Sequence, residues 1–338
     1  MVQRQGDLSE LAERVLGAML AMQRRSWEQG LAGHALLALG RFDLAAVVAV
    51  DAVANQMPDG RLADIGDMNV VNGAAALETV LAMATLTGDA DLSTAARHQV
   101  EWIVDAAPRA VDGTLLHVLD RREVWSDTVY MVVPALVAAD RVDLALQQLS
   151  GHLRRLQDPA TQLIAHMWDE GDRRLLRADA WGGGNGWVVA GCARAIHLLR
   201  PKGNWAMSRP EDAVDEEFIA TAGDCGRRVI DACLRHRTDS GLFHDIVDDP
   251  STFQEVTLVA MLAYGTLTGA ADGWLPATYD EVGRSLLRTA ADHVGPDGLL
   301  RPACGSPLFD RPGISAEAQA WFLLAAAVAG VGRLPSGK

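Results

Sequence analysis

The chain has 338 residues, nearly half of them hydrophobic, and its 44 acidic and 30 basic side chains leave a net charge of −14. That length suits two ordinary domains or one large barrel, with surface enough to bury a sizeable core. The charge argues against nucleic acid and anionic membranes, both of which are bound through basic patches.

Leu8 to Gln23 repeats apolar residues at three and four, which predicts a helix. Asp7, Glu10 and Glu13 stand where a signal peptide would be apolar. Similar segments follow at 26–39, 42–57, 70–87, 89–107, 127–139, 141–157, 185–199, 213–236, 253–269, 276–294 and 315–330. Twelve helices and almost no alternating β-branched runs predict an all-α class. The longest apolar run, Ala320 to Val331, is shorter than the ~18 residues of a membrane span. Cys192, Cys225, Cys233 and Cys304 form no CxxC and read as buried free thiols of a cytoplasmic protein.

The linkers repeat as well. Asp59-Gly60-Arg61-Leu62, Asp112-Gly113-Thr114-Leu115, Asp239-Ser240-Gly241-Leu242 and Asp297-Gly298-Leu299-Leu300 each pair a turn with a short apolar stretch. Asp158-Pro159 is a degenerate copy, and Pro201 to Pro210 reads as an insertion in the longest interval. Recurrent helix pairs make either an open solenoid or a closed toroid. Loops rich in Trp, His and Asp favour closure around one pocket, in a single domain spanning 1–338.

Candidate chemistry follows in chain order. Asp127 stands at a helix start between Trp125 and Tyr130. It is either an N-cap or a carboxylic acid whose pKa an apolar pocket raises, as a general acid needs. His166 and His244 follow their turns at matching places in two repeats. Trp181-Gly182-Gly183-Gly184-Asn185-Gly186-Trp187 leads into a helix and reads as a sugar-binding loop, since two tryptophans bracket it and no phosphate-loop Lys follows. Glu255, Thr257, Ser315 and Glu317 sit at helix starts, where capping accounts for at least half of such residues. No spacing suits a metal, and no cofactor is expected.

These segments together resemble glycoside hydrolase families 88 and 105, the unsaturated glucuronyl and unsaturated rhamnogalacturonyl hydrolases. The likeness covers most of the chain. It rests on Trp125-x-Asp127-Thr128-x-x-Met131, the Trp181–Trp187 loop, Gly241-Leu242-Phe243-His244 followed by Glu255-x-Thr257, and Trp27-Glu28-Gln29-Gly30. The resemblance implies an (α/α)6 barrel that removes a 4,5-unsaturated uronic acid from lyase-generated oligosaccharides. Asp127 would protonate carbon 4 and then help water add at carbon 5. Trp125, Tyr130, His166, Trp181, Asn185, Trp187, His244, Glu255 and Thr257 would bind substrate. The chain departs from the family pattern at Gly183, where an Arg is usual, and at Met68, where an Asp is usual; Asp67 or Asn69 would take the latter's place. An oligosaccharide is the expected partner, with the protein a monomer or homodimer. A sugar epimerase and a non-catalytic saccharide-binding toroid share the fold and stand as alternatives.

Overall fold

The computed structural model describes residues 2–63, 68–200 and 213–331. Among these the helices are α1 (Val2–Met22), α2 (Ser26–Leu39), α3 (Phe42–Ala54), α4 (Leu77–Thr87), α5 (Ala90–Glu101) and α6 (Thr128–Ala138). They continue as α7 (Val142–Leu156), α8 (Gly182–Leu199), α9 (Ala213–Leu234), α10 (Thr257–Asp272), α11 (Tyr279–Asp292) and α12 (Ala316–Val328). The even-numbered helices form an inner ring, each against the next, and α12 closes it by returning to α2. The odd-numbered helices surround it: α3, α5, α7, α9 and α11 each pack on the even helix before them in the chain or next to it, and α1 packs on α12. This is the six-hairpin (α/α)6 barrel.

Side-chain pattern explains which helix goes where. α6, α8, α10 and α12 are apolar nearly all round and buried over almost their whole length, as helices sandwiched between two layers must be. α7 instead buries Val142, Ala145, Leu149 and Leu156 along one stripe and gives Arg154 and the rest of its polar face to water. The predicted helix boundaries need local revision. Residues 70–87 divide into a 3₁₀ turn (Asn72–Ala76) and α4, and 89–107 ends in a π turn at Trp102–Ala106. α10 starts later than predicted because Gln254–Glu255 is a strand, and α8 starts earlier, inside the glycine run.

The linkers gather at one end of the ring and hold one another in sequence. A bridge joins Asn69 to Val118, Ser126 N–H donates to His166 C=O (3.0 Å), Trp181 bridges Ile246, and Val256 N–H donates to Pro302 C=O (2.8 Å). Within them β1 (Glu123–Trp125), β2 (Met167–Asp169) and β3 (Arg174–Arg177) form one antiparallel sheet. β4 (Phe243–His244) pairs with β5 (Gln254–Glu255), and β6 (Ala303–Gly305) with β7 (Leu308–Gly313). The Pro201–Pro210 insertion and Asp67 lie outside the described residues. All four cysteines are buried and free, and no helix among the described residues is long and apolar enough to cross a membrane.

Candidate active site

Where the linkers meet, the end of the ring carries an open hollow of about 130 Å³. Trp27, Trp125, Trp187 and Phe309 give it flat walls; Asn72, His117, Asp127 and Glu317 give it polar groups, and Met131 completes the lining. Asp127 stands at the N-cap position, immediately before α6, yet its carboxylate does not cap the helix. It accepts from Ser126 Oγ (3.0 Å) and faces His166 Nε2 at 3.4 Å. A predicted cap is therefore free to act as a site group.

The state of His166 can be read from its other nitrogen. Arg177 on β3 lies with Nη1 3.1 Å from His166 Nδ1. A guanidinium can only donate, so Nδ1 must be the accepting nitrogen and the ring proton sits on Nε2, toward Asp127. Trp125 meets the His166 ring edge-on at 5.6 Å, and Trp181 lies against it at 4.7 Å. Packing thus fixes the ring while Arg177 fixes its proton.

This arrangement corrects the expectation that Asp127 is held protonated. Burial does push its pKa up, but the His166 hydrogen bond, the fields of His166 and His117, and the Ser126 hydroxyl outweigh it and hold the carboxyl below the usual range. His117 stacks flat on Trp125 (4.3 Å, 8°) with Nδ1 2.8 Å from Thr128 Oγ1. Burial lowers its pKa to about 4, so the ring is neutral. Glu317 goes the other way: burial first, then nearby Glu28 and Asp127, raise it to about 8 despite a 2.6 Å hydrogen bond from Trp27 Nε1. One hollow therefore holds two carboxyl groups in opposite states. No arginine or lysine is among the described residues that line it, and no group of three metal-binding side chains occurs among the described residues.

The family model of Glycosyl Hydrolase Family 88 matches residues 10–308. The chain belongs to that family. It is 28% identical over 243 residues to the unsaturated rhamnogalacturonyl hydrolase YesR of Bacillus subtilis (strain 168), a match covering 68% of this chain and 65% of that one. A Klebsiella pneumoniae structure described as a possible member of the GH105 family superposes with a TM-score of 0.80 at 20% identity, over 96% of this chain and 93% of that one. A family 88 glycosyl hydrolase from Bacteroides vulgatus gives 0.71 at 17%, over 96% and 98%. At those identities the two structures speak for the barrel alone.

Within this family 88 barrel the candidate residues sort into two groups. Asp127, Trp125 and Trp187 line the hollow, and His166 backs it. The others are engaged elsewhere. Tyr130 is fully buried, with its hydroxyl 2.8 Å from His34 Nδ1 and its ring against Trp187 and Trp321; it belongs to the core. Asn185 spends its amide on backbone, accepting from Ile164 N–H and donating to the carbonyls of Ile164 and Trp181. Thr257 donates to Cys304 C=O (2.7 Å), and Glu255 caps α10 through the amides of Thr257 and Leu258. Burial raises Glu255 to about 7, a structural acid behind the site. His244 donates to Thr252 C=O, and Asn69 accepts from Asn72 N–H.

Trp181 is itself buried, donating to Asp245 Oδ1 (3.1 Å), and meets His166 rather than open space. Gly183 explains why: a Cβ there would collide with three atoms of the Trp181 ring. The glycines read as a sugar-binding loop form the first turn of α8, bare so that Trp181 can lie over it.

Among the lining residues, Asn72, His117 and Phe309 escaped the sequence reading, Trp27 and Met131 entered it only as parts of motifs, and Glu317 only as a helix-start residue. Glu317 carried a signal, being the acid in a segment otherwise apolar from Ala316 to Ala329 apart from Gln319.

Proposed function

We propose that this protein removes a 4,5-unsaturated uronic acid from the non-reducing end of lyase-generated oligosaccharides by hydrating the double bond. The observation that carries the reading is Asp127, set in a tryptophan-walled hollow between a hydroxyl and an imidazole of fixed tautomer. Family membership and the likeness to an unsaturated rhamnogalacturonyl hydrolase support that substrate class.

Asp127 begins as a carboxylate. An incoming uronate brings a second negative charge and displaces water, and both raise the proton affinity of Asp127, so substrate binding is accompanied by uptake of one proton from solvent. Asp127 then gives that proton to carbon 4, and positive charge develops at carbon 5, shared with the ring oxygen. Water adds at carbon 5 while the Asp127 carboxylate takes its proton, which returns the acid form. The resulting hemiketal opens and the neighbouring sugar leaves. His166 Nε2 faces Asp127 Oδ2 at 3.4 Å, so a ring proton there points at that carboxylate oxygen in both half-reactions. The tryptophans offer faces for the sugar ring.

The test uses lyase-digested rhamnogalacturonan, ulvan and glycosaminoglycan in deuterated water. The expected result is loss of the enoate ultraviolet absorbance with one deuteron at carbon 4. Release of the neighbouring sugar with the double bond intact would indicate ordinary anomeric hydrolysis and overturn the reading.

A further inference from the structure

The hollow's carboxyl groups differ in what surrounds them, and Glu317 has no assigned task. It is not needed as a helix cap, because Ser315 Oγ already accepts from Ala318 N–H (3.1 Å) at the start of α12. Trp27 Nε1–H occupies Oε1. Oε2 lies where a Cβ on Gly305 would fall, so β6 leaves room for this carboxyl by carrying no side chain at that point. We propose that Glu317 is a binding group of the hollow, holding the substrate's carboxylate as the neutral donor of a hydrogen bond. The identity of that ligand rests on the proposed function; the pairing of a buried acid with a carboxylate does not.

The charges around Glu317 decide its form. From α2 it faces Trp27 and Glu28, and Glu28 is turned to the backbone amides of Arg24 and Arg25 (2.7 and 2.9 Å). From β6 comes Gly305, from the turn after it Ser306, whose backbone amide bonds the carboxyl, from the N-cap of α12 Ser315, and from the N-cap of α6 Asp127. No cation pairs with Glu317 among the described residues. Burial and two like charges push its pKa up to about 8. A carboxylic acid donating to a carboxylate makes a short, charge-assisted hydrogen bond, which suits a hollow that has no lining cation to meet an anion. Once Glu317 ionises, donation turns into repulsion between two carboxylates.

The sign follows directly. KM for an unsaturated uronyl disaccharide is lowest where Glu317 is protonated and rises about tenfold between roughly pH 7 and 9, as one proton is lost. The methyl ester of the same disaccharide, which carries no charge, should show no such rise in the unaltered protein. Glu317→Gln keeps a donor of similar size that does not titrate, so its KM for the acid should lose the tenfold rise due to Glu317 and keep only the dependence that proton uptake by Asp127 contributes. Equal pH profiles for acid and ester, or a KM rise of undiminished size in Glu317→Gln, would overturn the proposal; the acid–ester contrast decides it even if the variant fails to fold. Absence of turnover at every pH overturns the proposed function instead. In that case calorimetry with glucuronate and its methyl ester reads the same contrast, binding of glucuronate alone weakening at high pH.

Discussion

Asp127, half-buried, and Glu78, fully buried, are both carboxylates held in charged form, and they differ in who holds them. Glu78 lies inside the ring on α4, bonded through both oxygens to Arg194 of α8, with His34 Nε2 3.4 Å away. Burial would raise its pKa, but the Arg194 charge brings it below the usual range. Burial also lowers His34 to about 4, leaving it neutral. Glu78 therefore has a permanent counter-charge sealed from water, whereas Asp127 has only a hydroxyl and an imidazole, at the edge of an open hollow. A guanidinium does not release its proton at any working pH, so the Glu78 pair fixes two inner helices and nothing else. Partners without a permanent charge leave Asp127 able to gain and lose a proton as its surroundings change. Burial and ionisation alone do not separate a structural acid from a chemical one; the partner's own chemistry does.

The largest effect should fall on Asp127. On the proposed mechanism Asp127→Asn removes the group that moves the proton while keeping its shape, and turnover should drop by ~10²–10⁴ with the melting temperature little changed. Near-normal turnover in the folded variant would return Asp127 to the company of Glu78.

Glu78→Gln should do the reverse, leaving Arg194 buried without its counter-charge at a cost of about 3–5 kcal/mol. Denaturant unfolding reads that loss, while turnover per folded molecule should stay close to normal. Replacing both partners with apolar residues, as in Glu78→Leu with Arg194→Met, should cost less than the single change, because no unpaired charge remains. A double variant worse than Glu78→Gln would mean that the pair does more than compensate itself.

Arg177 tests what makes the Asp127 environment special. Arg177→Met frees His166 to place its proton on either nitrogen, and losing a hydrogen bond worth ~1.5 kcal/mol to the productive tautomer predicts a fall in kcat of about tenfold. Arg177→Lys should recover part of it, since an ammonium also can only donate. A loss appearing in KM alone would make Arg177 a binding group instead.

The ring and its end-on hollow were legible because helix periodicity and Asp–Gly turns are local signals that fix which segments lie side by side. The direction of individual side chains was not local in that way. Counting four residues on from Asp127 gives Met131, which shares its face and lines the hollow, while Tyr130 points to the core. Asn185, Glu255 and Thr257 looked like ligand contacts because they are polar and stand beside motif glycines or helix starts. Their partners turn out to be backbone groups contributed largely by other linkers, which the sequence does not bring together. Glu317 was hidden in the opposite sense: its place in the first turn of α12 was a sufficient reason for an acid, and only the closing of α12 against α2 brings Trp27 and Asp127 near it.

The smallest expected effect concerns the ring that supports His166. Trp181 reaches its position because Gly183 has no side chain, so Gly183→Ala and Trp181→Ala disturb the same contact from two ends. Each should raise KM only several-fold, the scale of one aromatic contact of ~0.5–1.5 kcal/mol. Their combination should be no worse than Trp181→Ala alone, because once the indole is gone the added methyl has nothing to strike. Gly183→Arg falls under the same argument: whatever its guanidinium could offer an anion, its Cβ must first push Trp181 off His166. Were Gly183→Arg to improve turnover several-fold with Trp181→Ala silent, the hollow would not depend on this buttress. His166 would then be held by Arg177 and Trp125 alone, and the contrast with Glu78 would narrow to a single hydrogen bond.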